Sequence, residues 1–215
     1  MHPRWGRCAG IRRMPKGARR ACASTRHGIE LAARRNAPLI QKSVGNRLSY
    51  LRRWNLEEFK RRIYRSPAEL MADFRAIMSQ RGEIRTLMRG AVIDPAFRER
   101  LMLAVTQVNG CRYCAYGHAR QALAEGISAE EVEALGQGMF EGSPPEEVPA
   151  LLYAQHWAEA DGKPDPAVRE QMVERYGEQV TEAMELALRM IRMGNLVGNT
   201  WDYVVYRVSF GRWGA

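Results

Sequence analysis

The stretch Cys111-Arg112-Tyr113-Cys114-Ala115-Tyr116-Gly117-His118 places two thiols and an imidazole on one short piece of chain. Asn109-Gly110 before it is a chain break and Gly126 after it a helix stop, which predicts a helix from about Cys111 to Glu125 opening at the cysteines. Cys114 follows Cys111 by three residues and His118 follows Cys114 by four, so all three share a helix face. First-turn N–H groups and the helix dipole favour thiolate over thiol, and a neighbouring imidazole can take the proton. This is the arrangement of a redox-active cysteine pair. The dipole alone favours Cys111 as the nucleophile, because it lies closer to the helix start.

Glu99 stands twelve residues before Cys111, on the preceding helix. Met102, Leu103 and Thr106 follow it at helical spacing, so its face is mostly apolar. A carboxylate there is partly desolvated, which suits a proton acceptor and donor. The Asn109-Gly110 turn folds the cysteine helix back beside it, within reach of the thiols directly or through a water.

The elements that position these groups all read as helices. Residues 48–65 carry Leu51, Phe59 and Ile63 among many bases. Ser66-Pro67-Ala68-Glu69 is a capping box with proline at the first helical position, opening a helix to about Gln80. A short piece spans Glu83–Gly90. Asp94-Pro95 starts a helix to about Val108, with Phe97, Leu101, Ala104, Val105 and Val108 inward. Ser128-Ala129-Glu130-Glu131 is a second capping box, opening a helix that ends near Gly136–Gly138. Glu146–Ala160 is helical, Asp165-Pro166 caps another helix, and Glu178 to about Ser209 is long and apolar enough to be central. No segment alternates as a strand does. Gly194 and Gly198 permit close helix approach, and Asn195 and Asn199, on one face, are placed to bond a neighbouring helix. Trp54, Trp157, Trp201 and Trp213 read as core or interface anchors.

The 215 residues, 46% hydrophobic, suffice for a real core, and no run of 18 apolar residues exists to cross a membrane. The N-terminus lacks a secretory apolar core, and four cysteines do not make a disulfide scaffold in so long a chain, which together predict a reducing, cytoplasmic setting. Residues 1–47 hold twelve Arg or Lys against the single acid Glu30, so the net charge of +9 divides into +11 for this tail and −2 for the rest. The expected organisation is a disordered basic tail over 1–47 and a helical domain over 48–215. The tail also fits a targeting peptide, a nucleic-acid arm or an overlong gene start, with an unselected or non-native extension preferred.

The run Glu99-Arg100-Leu101-Met102-Leu103-Ala104-Val105-Thr106-Gln107-Val108-Asn109-Gly110-Cys111-Arg112-Tyr113-Cys114, followed by His118 and Gly126, resembles the core motif of the alkylhydroperoxidase D-like, carboxymuconolactone decarboxylase superfamily. The resemblance is most specific over residues 95–135. It extends more loosely to Gly194-Asn195-Leu196-Val197-Gly198-Asn199-Thr200-Trp201-Asp202. It implies an all-α fold, an AhpD-like helical bundle with the C-x-x-C at the start of a core helix. It also implies a thiol-dependent peroxidase or antioxidant disulfide oxidoreductase. Cys114 is then the peroxidatic cysteine that becomes a sulfenic acid, and Cys111 the resolving thiol that closes a Cys111–Cys114 disulfide. Glu99 and His118 form the proton relay. The implied partners are a hydroperoxide, a dithiol reductant and further copies of the chain, with no cofactor.

The family's characterised peroxidase carries a second histidine between its cysteines, where this chain has Tyr113. A phenol is a poor base at neutral pH, so the relay here is simpler. The decarboxylase branch generally lacks the cysteine pair, which points away from that activity. Two other classes stay in view. One is a non-catalytic helical module that senses redox state or holds zinc through Cys111, Cys114, His118 and a fourth ligand such as His156. The other is a nucleic-acid or anionic-membrane surface built on Arg52, Arg53, Lys60, Arg61, Arg62 and Arg65, against which the slightly acidic body argues.

Overall fold

In the computed structural model, residues 59–214 are described. They form eight α-helices and, among the described residues, no strand: α1 Pro67–Met78, α2 Arg81–Met88, α3 Pro95–Asn109, α4 Arg112–Ala124, α5 Ala129–Gly136, α6 Val148–Glu159, α7 Pro166–Tyr176 and α8 Glu178–Val208. No described helix is long and apolar enough to cross a membrane. The tail over 1–47 and the boundary at residue 48 lie outside the described residues, as does Trp54.

Local chemistry starts these helices. Ser66 Oγ accepts from the Glu69 N–H at 3.3 Å, and Pro67 takes the first position. Asp94 Oδ1 accepts from the Phe97 N–H at 2.9 Å ahead of Pro95, and Asp165 Oδ1 from the Ala167 N–H at 2.9 Å ahead of Pro166. Ser128 Oγ likewise accepts from the Glu131 N–H at 3.1 Å. The other half of that capping box is not made. Glu131 turns instead to Arg100, whose Nε lies 2.6 Å away, and accepts the Ser143 hydroxyl at 2.8 Å. A charge-assisted bond to a buried guanidinium outweighs a local cap.

One expectation is corrected. Residues 59–65 are not helical. Their bonds run across the molecule instead: Arg62 donates to the carbonyls of Ala158 and Glu159 at the end of α6, Arg61 to Asp202 and the Gly214 carbonyl, and the Tyr64 N–H to Thr200 Oγ1. Arg61 and Arg62 are thereby spent on the body itself. The long α8 is central as expected, packing against α1, α2, α3, α4, α6 and α7, and α3 is central beside it. Helix α3 is buried on nearly all sides, polar residues included, and packs against α8, α6, α4 and α5. Val108 is half-buried and the other four residues expected inward are buried. Trp157 lies in the core, whereas Trp201 and Trp213 are largely exposed.

Candidate active site

The α3–α4 turn builds the thiol site. Gly110 closes α3 in the left-handed conformation (φ 69°), with its N–H bonded to the Thr106 carbonyl at 2.8 Å. Only glycine takes that conformation without strain, and it reverses the chain in two residues. Cys111 is then the N-cap of α4: its sulfur occupies the place a serine or aspartate usually fills and accepts from the Cys114 N–H at 3.4 Å. Helix α4 itself is no core helix. Ala122 is its only fully buried residue, and Tyr113, Tyr116 and Leu123 are exposed.

The two sulfurs lie 2.9 Å apart as free thiols. Cys111 is 1% exposed, and Cys114 is half-buried. The hydrogen bond from Cys114, helped by the backbone N–H groups of Cys114 and Tyr113, pulls the Cys111 thiol down to about 6 against the opposing cost of burial. The same bond, with burial, pushes Cys114 up. One proton leaves this pair readily and the second does not.

Glu99 is 2% exposed, and its Oε2 lies 2.7 Å from His118 Nδ1. Its other oxygen accepts from the neighbouring Arg98, whose guanidinium approaches at 3.1 and 3.2 Å and also reaches the Leu87 and Met88 carbonyls. Arg98 aims one carboxylate oxygen at the imidazole and supplies the charge that makes burial of Glu99 tolerable. The structure thus makes two contacts, thiol to thiol and carboxylate to imidazole. Among the described residues no hydrogen bond joins His118 to either sulfur. His156 stands apart, at the end of α6, accepting from the Asp165 N–H at 3.3 Å.

Helix α8 is the wall behind the sulfurs. A Cβ on Gly198 would lie 2.7 Å from Cys111 Sγ, and one on Gly194 3.9 Å from Cys114 Sγ. The close approach read from these glycines is therefore an approach to the thiols. Asp202, fully buried, holds the cluster's edge. Its Oδ1 accepts from Tyr113 Oη and Arg112, and its Oδ2 from Arg61, each at 2.7 Å. Burial pushes this carboxyl up, but hydrogen bonds from Tyr113, Arg61 and Arg112 outweigh it and hold it below the usual carboxylate range. Tyr113, at the position of the second histidine, is committed to Asp202 and not to the relay. Arg98 and Asp202 were missed by the sequence reading. Their one signal is a charge set among apolar neighbours on helices otherwise expected to be buried.

The two glycines give a sharp contrast for mutagenesis. Alanine in a helix interior is worth about 0.5–1 kcal/mol over glycine. At Gly194 the added methyl makes ordinary contact, so Gly194→Ala raises the melting temperature slightly. At Gly198 it collides with Cys111, and overpacking of about 1–3 kcal/mol exceeds the helix gain. Gly198→Ala therefore lowers the melting temperature by several degrees. Thermal denaturation of the two variants beside wild type measures both signs.

The fold and site define a class: an all-helical domain with a dithiol at a helix start and a buried carboxylate–imidazole pair on the adjoining helices. Residues 74–160 match the model of the carboxymuconolactone decarboxylase family. The match contains Glu99, Cys111, Cys114 and His118. Helix α8, with its Gly194–Asp202 segment, lies beyond it. No match was found among curated proteins or among solved structures.

Proposed function

We propose that the chain is a thiol-dependent hydroperoxide reductase of antioxidant type. The contact between two thiols, one of them readily ionised, carries this reading. The Glu99–His118 pair and the match of residues 74–160 to the carboxymuconolactone decarboxylase family support it. The Cys114 thiolate attacks a peroxide oxygen: an S–O bond forms, the O–O bond breaks, and the alkoxide leaves as alcohol after taking a proton from the Glu99–His118 relay. The link from imidazole to sulfur runs through the substrate or a water. Cys111 then attacks the Cys114 sulfenic sulfur, forming the S–S bond and releasing the oxygen as water. Its low affinity for a proton suits that second attack at neutral pH. A dithiol reductant, small molecule or protein, returns the disulfide to two thiols in the cytoplasm.

Mild peroxide treatment tests the chemistry directly. Intact mass falls by about 2 Da for one intramolecular disulfide, and dithiothreitol restores it. Peptide mapping places the bond between Cys111 and Cys114. Thiols that persist, or that pass straight to sulfonic acid, would leave only the redox-sensing or metal-holding module.

A homo-oligomer is part of the proposal. Val197, Trp201, Val204 and Val208 form an exposed apolar ridge on α8, beside a 380 Å³ groove lined by Tyr64, Pro67 and Leu70. An apolar ridge of this kind suits a second copy of the chain better than water. Trp201→Glu should shift sedimentation toward monomer; an unchanged sedimentation coefficient would place the interface elsewhere.

A further inference from the structure

All four residues of Cys111-Arg112-Tyr113-Cys114 meet one stripe of α8. The stripe is Gly194, Gly198 and Asp202, one helical turn apart and therefore stacked on one face. A Cβ on Gly194 would sit 3.9 Å from Cys114 Sγ, and one on Gly198 would sit 2.7 Å from Cys111 Sγ and 3.4 Å from the Tyr113 ring. The glycines admit the sulfurs but hold nothing. Asp202 holds the two residues between them. Its Oδ1 accepts from Arg112 Nη2 and from Tyr113 Oη, each at 2.7 Å. Its Oδ2 accepts from Arg61 Nη1, also at 2.7 Å. Asp202 is 0% exposed, and a buried carboxylate with three such donors stays ionised and in one place.

This placement acts on the dithiol in two ways that reinforce each other. Fastening Arg112 and Tyr113 to α8 fixes the chain between two sulfurs that lie 2.9 Å apart, which raises the effective concentration of one thiol at the other. The buried negative charge also opposes a thiolate on Cys111, and a less favoured thiolate makes the disulfide harder to reduce. The other charged groups of the site face elsewhere, Arg98 and His118 toward Glu99, and Arg61 and Arg112 toward Asp202 itself. We propose that Asp202 is the positioning residue of the dithiol, holding Arg112 and Tyr113 on α8 and thereby setting how strongly the Cys111–Cys114 pair favours disulfide over two thiols. The inference rests on the redox-pair part of the proposed function and not on peroxide as the oxidant.

Exchange with glutathione tests it on the full chain. One protein thiolate opens glutathione disulfide to a mixed disulfide and releases one glutathione; the second protein thiol closes the Cys111–Cys114 bond and releases the other. Peptide mass spectrometry of the fragment carrying both cysteines, across glutathione ratios, gives the equilibrium constant. Asp202→Asn keeps an oxygen for Arg112 and Tyr113 but loses the charge and the bond to Arg61. It should shift the equilibrium toward thiols by about tenfold, the scale of one lost bond to a charged group. The Cys111 ionisation midpoint, read from its Cβ shift by NMR, should fall in the same variant. A merely loosened helix start would break the Cys114–Cys111 hydrogen bond and move that midpoint up. Tyr113→Phe removes one fastening bond and keeps the charge, so it should shift the equilibrium the same way with the midpoint unmoved. Tyr116→Phe, an exposed phenol one turn along α4, should shift neither. Equilibrium constants equal to wild type in the Asp202 and Tyr113 variants overturn the proposal, as do a raised midpoint in Asp202→Asn or an equal shift in Tyr116→Phe. Where Asp202→Asn fails to fold, Tyr113→Phe decides alone. A wild-type chain that forms no disulfide with glutathione overturns the redox-pair reading and this inference together. A shifted equilibrium in a chain that consumes no peroxide removes the peroxidase reading and leaves the Asp202 assignment standing.

Discussion

Cys114→Ser reduces peroxide consumption to the uncatalysed background, while Cys111→Ser still forms one sulfenic acid per chain and then stops. The asymmetry follows from access. Cys111 is closed off beneath α8 and caps its own helix, whereas Cys114 is half-buried at the edge of the site. A hydroxyl at position 114 cannot replace the thiolate, because it does not ionise at neutral pH. A hydroxyl at 111 can still cap α4, so the helix start survives and only the resolving step is lost. Peroxide consumption with a dithiol, together with trapping of sulfenic acid by dimedone, measures both results. If Cys111→Ser rather than Cys114→Ser removed the sulfenic acid, the roles would be exchanged and the helix-dipole argument would prevail over exposure.

His118→Asn slows turnover on the order of ten- to ten-thousandfold, the range for a lost general acid or base. It is the cleaner of two relay variants, since it leaves the buried Arg98–Glu99 pair intact. Glu99→Gln should show a rate loss of the same order, but it strands the Arg98 guanidinium, which is 5% exposed at its side chain. Breaking such a pair costs about 3–5 kcal/mol. The variant should therefore melt well below wild type, and its rate must be read at a temperature where it is still folded. Arg98→Met with Glu99→Gln removes both charges and recovers much of the stability without recovering the rate. Unchanged rates in His118→Asn and in folded Glu99→Gln would leave the α4 N–H groups as the only activation of the thiols.

How far each element was legible depended on the range of the interactions that make it. Ser66, Asp94, Ser128 and Asp165 announce helix starts because a cap bonds two or three residues away, inside the window a reader sees. The Gly110 turn and the Cys111 helix start are local in the same way. Expectations failed where a distant partner outbid the local one. Residues 59–65 look helical by themselves, yet their arginines find carbonyls on α6 and a carboxylate on α8. Glu131 completes a capping box on paper, yet Arg100 from another helix takes it. Helix α3 is buried despite its charges, because Arg98 and Glu99 pair with each other and Arg100 pairs with the buried Glu131.

The sequence by itself determined the all-helical character of the described residues and the capped helix starts, and spacing of three and four places Cys111, Cys114 and His118 together wherever that helix forms. Tertiary structure alone decided what surrounds them. It put Glu99 against His118 with Arg98 behind it, set Gly194 and Gly198 over the sulfurs, bonded Asn195 to Asn109 and Thr106, and drew Tyr113 to Asp202. The α8 partners lie some 80 or more residues from the cysteines, and no local pattern encodes which face of a helix that far away will be opposite a given sulfur. Burial adds the rest: it fixes which thiol a substrate can reach, and no spacing rule contains it.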